Sequence, residues 1–420
     1  MEITALDRQR EVYLSGFAGK ISEVPKRFWK LEKEAKENMS KRAFAYVAGG
    51  AGTEQTMDNN LRAFRGVEIV PKMLRDVSER DMSVDILGKR WTSPLFICPI
   101  GVLELAHHRA DLAVARAASS LNIPFIFSNQ ASVPMEDTAR VMGHATRWFQ
   151  LYWSKSRELV ASFVSRAEAC GCEAIVVTLD TTMLGWRTRD LDQAYLPFLE
   201  GKGIAQYTSD PVFTRMLETF QPVATKRQIT PQSLLGLIQM VNRYPGHGFF
   251  RKLKSGLPLK AVQQFISIYT NPGLTWEDLS FLREHTRLPV VLKGILHADD
   301  ARRAIDAGID AMIISNHGGR QVNGSISSLE ALKQIRAVVP ASYPLLLDSG
   351  IRSGADVFKA LACGANAVGI GRPYVYGLAI DGERGVREVL KDFLADFELT
   401  MGLAGCRNVA EVREAGLSMH

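Results

Sequence analysis

Residues 344–373 read PLLLDSGIRSGADVFKALACGANAVGIGRP. An apolar run, Pro344–Leu347, ends in Asp348-Ser349-Gly350-Ile351-Arg352. A helical stretch follows at Gly354–Ala362, and a second apolar run, Ala367–Ile370, ends in Gly371-Arg372. Neither run alternates with polar residues, as expected of parallel strands buried on both faces. The stretch reads as a β-α-β unit whose strand ends are polar and rich in glycine.

The same pattern recurs upstream. Further apolar runs lie at Pro94–Pro99, Ile123–Phe127, Arg147–Tyr152, Ala174–Leu179, Pro289–Leu292 and Ala311–Ile314. Helical stretches at Asp111–Leu121, Arg157–Ala169, Ala298–Ala307 and Leu329–Val338 separate several of them. Eight such strands fit a closed (β/α)8 TIM barrel of the α/β class better than an open doubly wound sheet. Two segments fall outside the repeat. Residues 1–93 read as an N-terminal helical segment, with WKLEKEAKENM as an amphipathic stretch. Residues 187–275 form an insertion far longer than an ordinary βα loop. Its prolines and its aromatics, Phe249, Phe250 and Phe265 among them, read as a lid over one end of the barrel. One domain over 1–420 is the expectation.

Composition excludes several classes. The net charge of +6 is dispersed, and the densest basic run, Arg251–Lys254, is too short for a nucleic-acid footprint. The five cysteines, Cys98, Cys170, Cys172, Cys363 and Cys406, form no C-x-x-C pair, which argues against a disulfide framework or a structural zinc. No metal site is expected. The N-terminus has no apolar signal segment and no run is long enough to span a bilayer, so a reducing, cytoplasmic setting is expected.

In a barrel of this kind the chemistry sits at the C-terminal ends of the strands. Read in order, those ends supply Pro99-Ile100-Gly101, Ser128, Gln150 with Tyr152, Thr178 with Asp180, Lys293, the run SNHGGRQ at 315–321, Asp348 with Gly350 and Arg352, and Gly371-Arg372. Each alone is an ordinary loop cap. Together they ring an apolar mouth with a lysine, a histidine and three arginines. The glycine turns after the last two strands, each followed by arginine, suit a phosphoryl group. Gly369-x-Gly371 lacks the third glycine of a dinucleotide fingerprint, and Gly49-Gly50-Ala51-Gly52 lacks the Lys-Ser/Thr of a P-loop. A barrel that binds phosphate without catalysis is the alternative of another class.

These residues resemble the FMN-dependent α-hydroxy-acid-oxidising family. The resemblance runs from about Tyr46 to Arg407 and rests on SNHGGRQ (315–321), FAYVAGGAGTE (44–54), FQLYW (149–153), VTLDTTMLGWRTRD (177–190), LKGI (292–295) and LDSGIRSGADVFKALACGANAVGIGRP (347–373). It implies FMN as cofactor and oxidation of a small L-2-hydroxy acid. It implies His317 as the base, Asp180 as its partner, and Arg320, Tyr46 and Arg187 as the clamp on the substrate carboxylate. Tyr152 is implied at the substrate hydroxyl and Lys293 beside the flavin. Pro99, Ile100, Gly101, Ser128, Gln150, Thr178 and Ser315 are implied around the flavin ring. Asp348 is implied at the ribityl chain, and Gly350, Arg352, Gly371 and Arg372 at the phosphate.

Within the family, Gly101 stands where many oxidases carry alanine. The stretch 148–211 and the long insertion point to the L-lactate 2-monooxygenase branch. That branch converts L-lactate and O2 to acetate, CO2 and water. An oxidase that releases pyruvate and hydrogen peroxide is the runner-up. Pocket walls are expected from Leu103, Trp153, Leu184 and lid residues. No nucleic-acid or membrane partner is expected, and the resemblance implies a homotetramer.

Overall fold

A computed structural model describes residues 4–222 and 230–419. Eight parallel strands close into a barrel. They are β1 (Leu95–Ile97), β2 (Phe125–Phe127), β3 (Arg147–Leu151), β4 (Ile175–Thr178), β5 (Val290–Ile295), β6 (Ala311–Ile314), β7 (Leu345–Leu347) and β8 (Ala367–Ile370). Closure is made by β8 on β1, with Gly369 opposite Phe96. Every strand read from the sequence is present: five are shortened by one to three residues, two match, and β5 runs on to Ile295. The strands are buried almost throughout, which explains their unbroken apolar runs.

Helices fill the outer layer. Arg157–Ala169 and Gly354–Ala362 match the sequence reading at both ends, and Ala110–Ser120, Ala298–Asp306 and Ser328–Arg336 match it within two residues. Serine caps at Ser156, Ser327 and Ser353 accept from backbone N–H groups of the first turn, which fixes where each helix starts. After β8, the long helix Arg372–Leu403 kinks at Asp381-Gly382 and packs against the N-terminal helices Ala5–Phe17 and Phe28–Asn38.

The N-terminal segment corrects one expectation. It is helical only to Arg65. Val67–Val70 then pairs antiparallel with Gly416–Met419, and Val84–Ile86 pairs with Lys89–Trp91. The turn of that hairpin is Leu87-Gly88, both at positive φ (50° and 74°). A leucine in that conformation gives no hairpin signal of the Asn-Gly kind.

The insertion after β4 is helical rather than extended, with Pro211–Thr219, Pro231–Arg243, Phe249–Ser255 and Leu257–Ile268 as its main elements. An aromatic chain roots it on the barrel. Phe163 of the outer layer meets Tyr207 at 5.0 Å, Tyr207 meets Phe265 at 4.8 Å, and Phe265 meets Phe198 at 5.1 Å. Phe265 is therefore core, as its aromatic character suggested, whereas Phe250 is 82% exposed and meets the neighbouring Phe249 ring at 5.6 Å. No described helix is long and apolar enough to cross a membrane.

Candidate active site

A cavity of about 1060 Å3, counted to its open mouth, lies at the C-terminal end of the barrel. Most of the residues picked from the sequence line it: Tyr46, Pro99, Ile100, Gly101, Tyr152, Arg187, Lys293, His317, Arg320, Asp348, Gly350, Arg352, Gly371 and Arg372. Asp180, Ser315, Ser128, Gln150 and Thr178 are not among its lining residues. Asp180 and Ser315 are hydrogen-bonded to two that are, His317 and Lys293.

His317 is held in a strained backbone conformation, φ +58°, ahead of Gly318 and Gly319 at +64° and +77°. Such strain persists only where the surroundings impose it. Here Asn316 accepts from the Gly319 N–H, and Asn60 and Asn316 exchange amide hydrogen bonds of 2.9 and 2.7 Å in the interior. A Cβ on Gly319 would lie 2.6 Å from Met57, so the helix Gln55–Arg65 presses directly on this loop. The N-terminal segment thus shapes the SNHGGRQ turn.

The imidazole Nδ1 of His317 lies 2.8 Å from Asp180 and 3.2 Å from the Thr181 hydroxyl, which itself donates to Asp180. With Nδ1–H donating to the carboxylate, the lone pair sits on Nε2. Burial holds His317 below the ordinary histidine range, aided by the charges of Lys293 and Arg187 and opposed by Asp180. A neutral, proton-accepting imidazole results. Burial alone would raise Asp180, but His317, Lys293 and Thr181 outweigh it and keep the carboxyl below its usual value. Asp180 reaches this position because β5 bulges after Lys293. Gly294, at φ +105°, leaves room where any Cβ would sit 2.9 Å from Asp180.

Lys293 is buried with Nζ 2.6 Å from Ser315 Oγ and 2.9 Å from Asp348. Burial would lower its pKa, yet Asp348 and Asp180 reverse this and raise it. It is therefore a fixed cation in a water-poor site. Asp348 also accepts from Ser349 Oγ and from the Cys98 thiol. Burial raises the Cys98 thiol well above its normal range, so it stays protonated.

Two guanidinium groups face the substrate side. Arg320 Nη1 donates to the carbonyls of Tyr46 (2.5 Å) and Gly49 (2.7 Å), and its charge lies 5.0 Å from the Tyr46 ring centre. Burial, with Arg187 nearby, lowers it to about 9, still cationic at neutral pH. Arg187 Nε donates to the Arg320 carbonyl and Nη2 to Gln321, neither of which engages Nη1. Tyr152 is pushed up to about 12 by burial and by Asp180, so it remains a hydroxyl donor.

At the other end, the Arg352 charge sits 4.3 Å from the Phe28 ring centre, and its buried Nε has no hydrogen bond. Arg372 lines the cavity but gives its donors to the carbonyls of Val47, Gly49 and Gly318. Gln150 Nε2 and Thr178 Oγ1 are also buried without partners. Ser128 and Gln150 stand close, Oγ to Oε1 at 3.5 Å. Unsatisfied buried donors are rare in native proteins. Gln150, Thr178, Lys293 and Arg352 make a donor set that suits the acceptor-rich ring edge and the phosphate of a flavin mononucleotide.

Leu184 lines the cavity as expected, but Leu103 and Trp153 do not. Both are buried in packing instead, Trp153 against Phe281 at 6.2 Å. The walls come rather from Phe198 and Tyr269 of the insertion, 5.8 Å apart between ring centres. Sequence reading also missed Thr181 and Gln130. Thr181 was legible as the neighbour of Asp180. Nothing in the pattern marked Phe198, Tyr269 or Gln130.

Comparison with known proteins agrees with this geometry. A family model described as FMN-dependent dehydrogenase matches residues 35–419. The FMN-dependent alpha-hydroxy acid dehydrogenase qulF of Penicillium citrinum is 42% identical over 381 residues, 91% of this chain and 87% of its own. The L-lactate oxidase of Lysinibacillus sphaericus is 39% identical over 386 residues, 92% of this chain and 91% of its own. A crystal structure of mandelate oxidase with (S)-4-hydroxymandelic acid superposes with a TM-score of 0.77 at 36% identity, covering 94% of this chain and 99% of that one.

Proposed function

Given that the chain belongs to the FMN-dependent dehydrogenase family and is an FMN-dependent α-hydroxy-acid oxidoreductase, we propose that its substrate is L-lactate and that it acts as a lactate 2-monooxygenase. The overall reaction is L-lactate + O2 → acetate + CO2 + H2O. When bound, FMN supplies the acceptor for the two electrons released at C2.

The chain's own groups do the rest. Arg320, Arg187 and Tyr46 hold the carboxylate, since a charge-assisted pair in a buried site fixes both position and orientation. Nε2 of His317 accepts the proton released as the C2 alcohol becomes a carbonyl, and Asp180 stabilises the imidazolium. Tyr152 donates to the C2 oxygen. Lys293 supplies positive charge where electrons accumulate. Gln150, Thr178 and Ser128 would hold the ring of FMN, Asp348 its ribityl chain, and Gly350, Arg352, Gly371 and Arg372 its phosphate.

The observation that carries the small-substrate reading is the pair Phe198 and Tyr269. These rings line the cavity 5.8 Å apart, with Tyr269 close enough to Arg187 to feel its charge, and such bulk at the clamp favours a short side chain. Product fate depends on residence. A keto acid has the same carboxylate as its alcohol, so the two arginines and an insertion acting as a lid would retain pyruvate while O2 reacts. The L-lactate oxidase relatives favour a second reading, release of pyruvate with hydrogen peroxide. We further propose a homotetramer in a reducing, cytoplasmic setting. The family resemblance is what supports the tetramer.

Incubation with L-lactate in air, without catalase, followed by proton NMR, separates the two readings. Acetate without accumulating pyruvate, and little free peroxide, is expected. Pyruvate with stoichiometric peroxide at the earliest times would make the protein an oxidase.

A further inference from the structure

Asp190 has no place in the mechanism above, yet it stands beside the clamp. It lies in the short helix Thr188–Asp192 at the start of the insertion. Its Oδ2 is 3.9 Å from Arg320 Nη2, too long for a hydrogen bond, and its buried Oδ1 has no hydrogen-bond partner among the described residues. Its side chain is 12% exposed. A buried carboxylate normally collects hydrogen bonds or a close ion pair. Asp190 has instead a loose view of the same guanidinium that meets the substrate.

We propose that Asp190 is a built-in competitor of the substrate carboxylate for Arg320 and Arg187, tempering the hold on carboxylate ligands without abolishing it, so that it sets how long the retained keto acid stays before release. This rests on the reading of Arg320 and Arg187 as the carboxylate clamp. The bound ligand brings a second anion to cations that Asp190 already shares. Like charges at close range in a poorly solvated site repel each other. Asp190 is therefore a specificity-determining residue that sets affinity and residence without touching the reacting atoms.

A pH signature follows. The charged and titratable groups on the elements around Asp190 are Arg187, Arg189 (paired with Glu54) and Asp192 of its own segment, Lys41, Arg42 and Tyr46 of the helix Lys41–Ala48, and Arg320. Burial raises Asp190 above the usual aspartate value, against the pull of Arg320 and Arg187. As pH rises through that raised value the competing charge appears, and carboxylate binding weakens. The arginines do not titrate in this range, and His317 is common to wild type and variant.

The test uses holoenzyme and pyruvate, with binding followed through the flavin absorbance from acid to neutral pH. In D190N, pyruvate is expected to bind on the order of tenfold tighter at neutral pH, to dissociate more slowly in stopped flow, and to lose the weakening seen on the acid side in wild type. D190S should give the same direction. Unchanged or weaker binding in both variants overturns the proposal and leaves Asp190 as a support for Arg320. The control R320K keeps the two claims apart. Weaker pyruvate binding there supports the clamp, whereas wild-type affinity in R320K overturns the clamp reading and the proposal with it.

Discussion

The two ends of the cavity are built differently. At the flavin end the donors stand on barrel strands or on the turns directly after them: Lys293 on β5, Gln150 on β3, Thr178 on β4, and Arg352 just beyond β7. At the substrate end segments outside the barrel supply half of the groups. Tyr46 sits on an N-terminal helix and Arg187, Phe198 and Tyr269 lie in the insertion, while Tyr152, Thr181, His317 and Arg320 follow strands. In the proposed function the strands position the cofactor, and the added segments choose the substrate and set its residence.

Changes at the junction of the two ends should have the largest effects. His317→Gln should retain FMN but slow flavin reduction by L-lactate about 10²–10⁴-fold. Rapid-mixing spectroscopy checks this, and fast bleaching in the variant would remove His317 as the base. The same residue sets a pH dependence. The base must be neutral, and its pKa is held below the ordinary histidine value. Accordingly kcat/KM should be level through neutrality and fall only on the acid side. A fall that begins above neutrality would contradict the buried, neutral imidazole.

Next in size are changes at the flavin end. Lys293→Met leaves Asp348 buried without its ion pair, which should cost about 3–5 kcal/mol. Thermal unfolding should show a lower Tm, together with slower reduction, and an unchanged Tm would mean that Ser349 and Cys98 suffice for Asp348. Arg372→Ala should weaken FMN retention roughly tenfold or more, since it removes a cation from the phosphate end together with the charged hydrogen bonds that tie that end to the Val47, Gly49 and Gly318 carbonyls. Loss of yellow colour on dialysis measures it. The smallest effect belongs to the insertion. Phe198→Ala should shift the kcat/KM ratio of a long-chain 2-hydroxy acid to lactate by about tenfold toward the longer acid, with FMN affinity unchanged. A change in FMN affinity would blur the division between the two ends.

The same division explains what was legible in the sequence. The barrel strands announced themselves by unbroken apolar runs, because burial on both faces removes polar alternation. Their polar ends then pointed to Lys293, His317 and Asp348. Leu103 and Trp153 were misplaced because adjacency to a strand end does not tell which way a side chain turns. Phe198 and Tyr269 were hidden because an insertion folds on itself before it meets the barrel, and no period records where it lands. The hairpin at 84–91 escaped because its turn uses a leucine at positive φ. Asp190 was visible as a letter in a motif, but the lack of a hydrogen-bond partner for its Oδ1 among the described residues is a property of three dimensions alone.

The most direct test mixes the yellow holoenzyme anaerobically with L-lactate, and separately with D-lactate and mandelate. We predict saturable loss of the oxidised flavin absorbance with L-lactate, little with the other two, and near-complete loss of the response in His317→Gln. Flavin that stays oxidised with every short L-2-hydroxy acid, or that bleaches equally well in His317→Gln, would contradict the assignment of this cavity as a hydroxy-acid oxidation site.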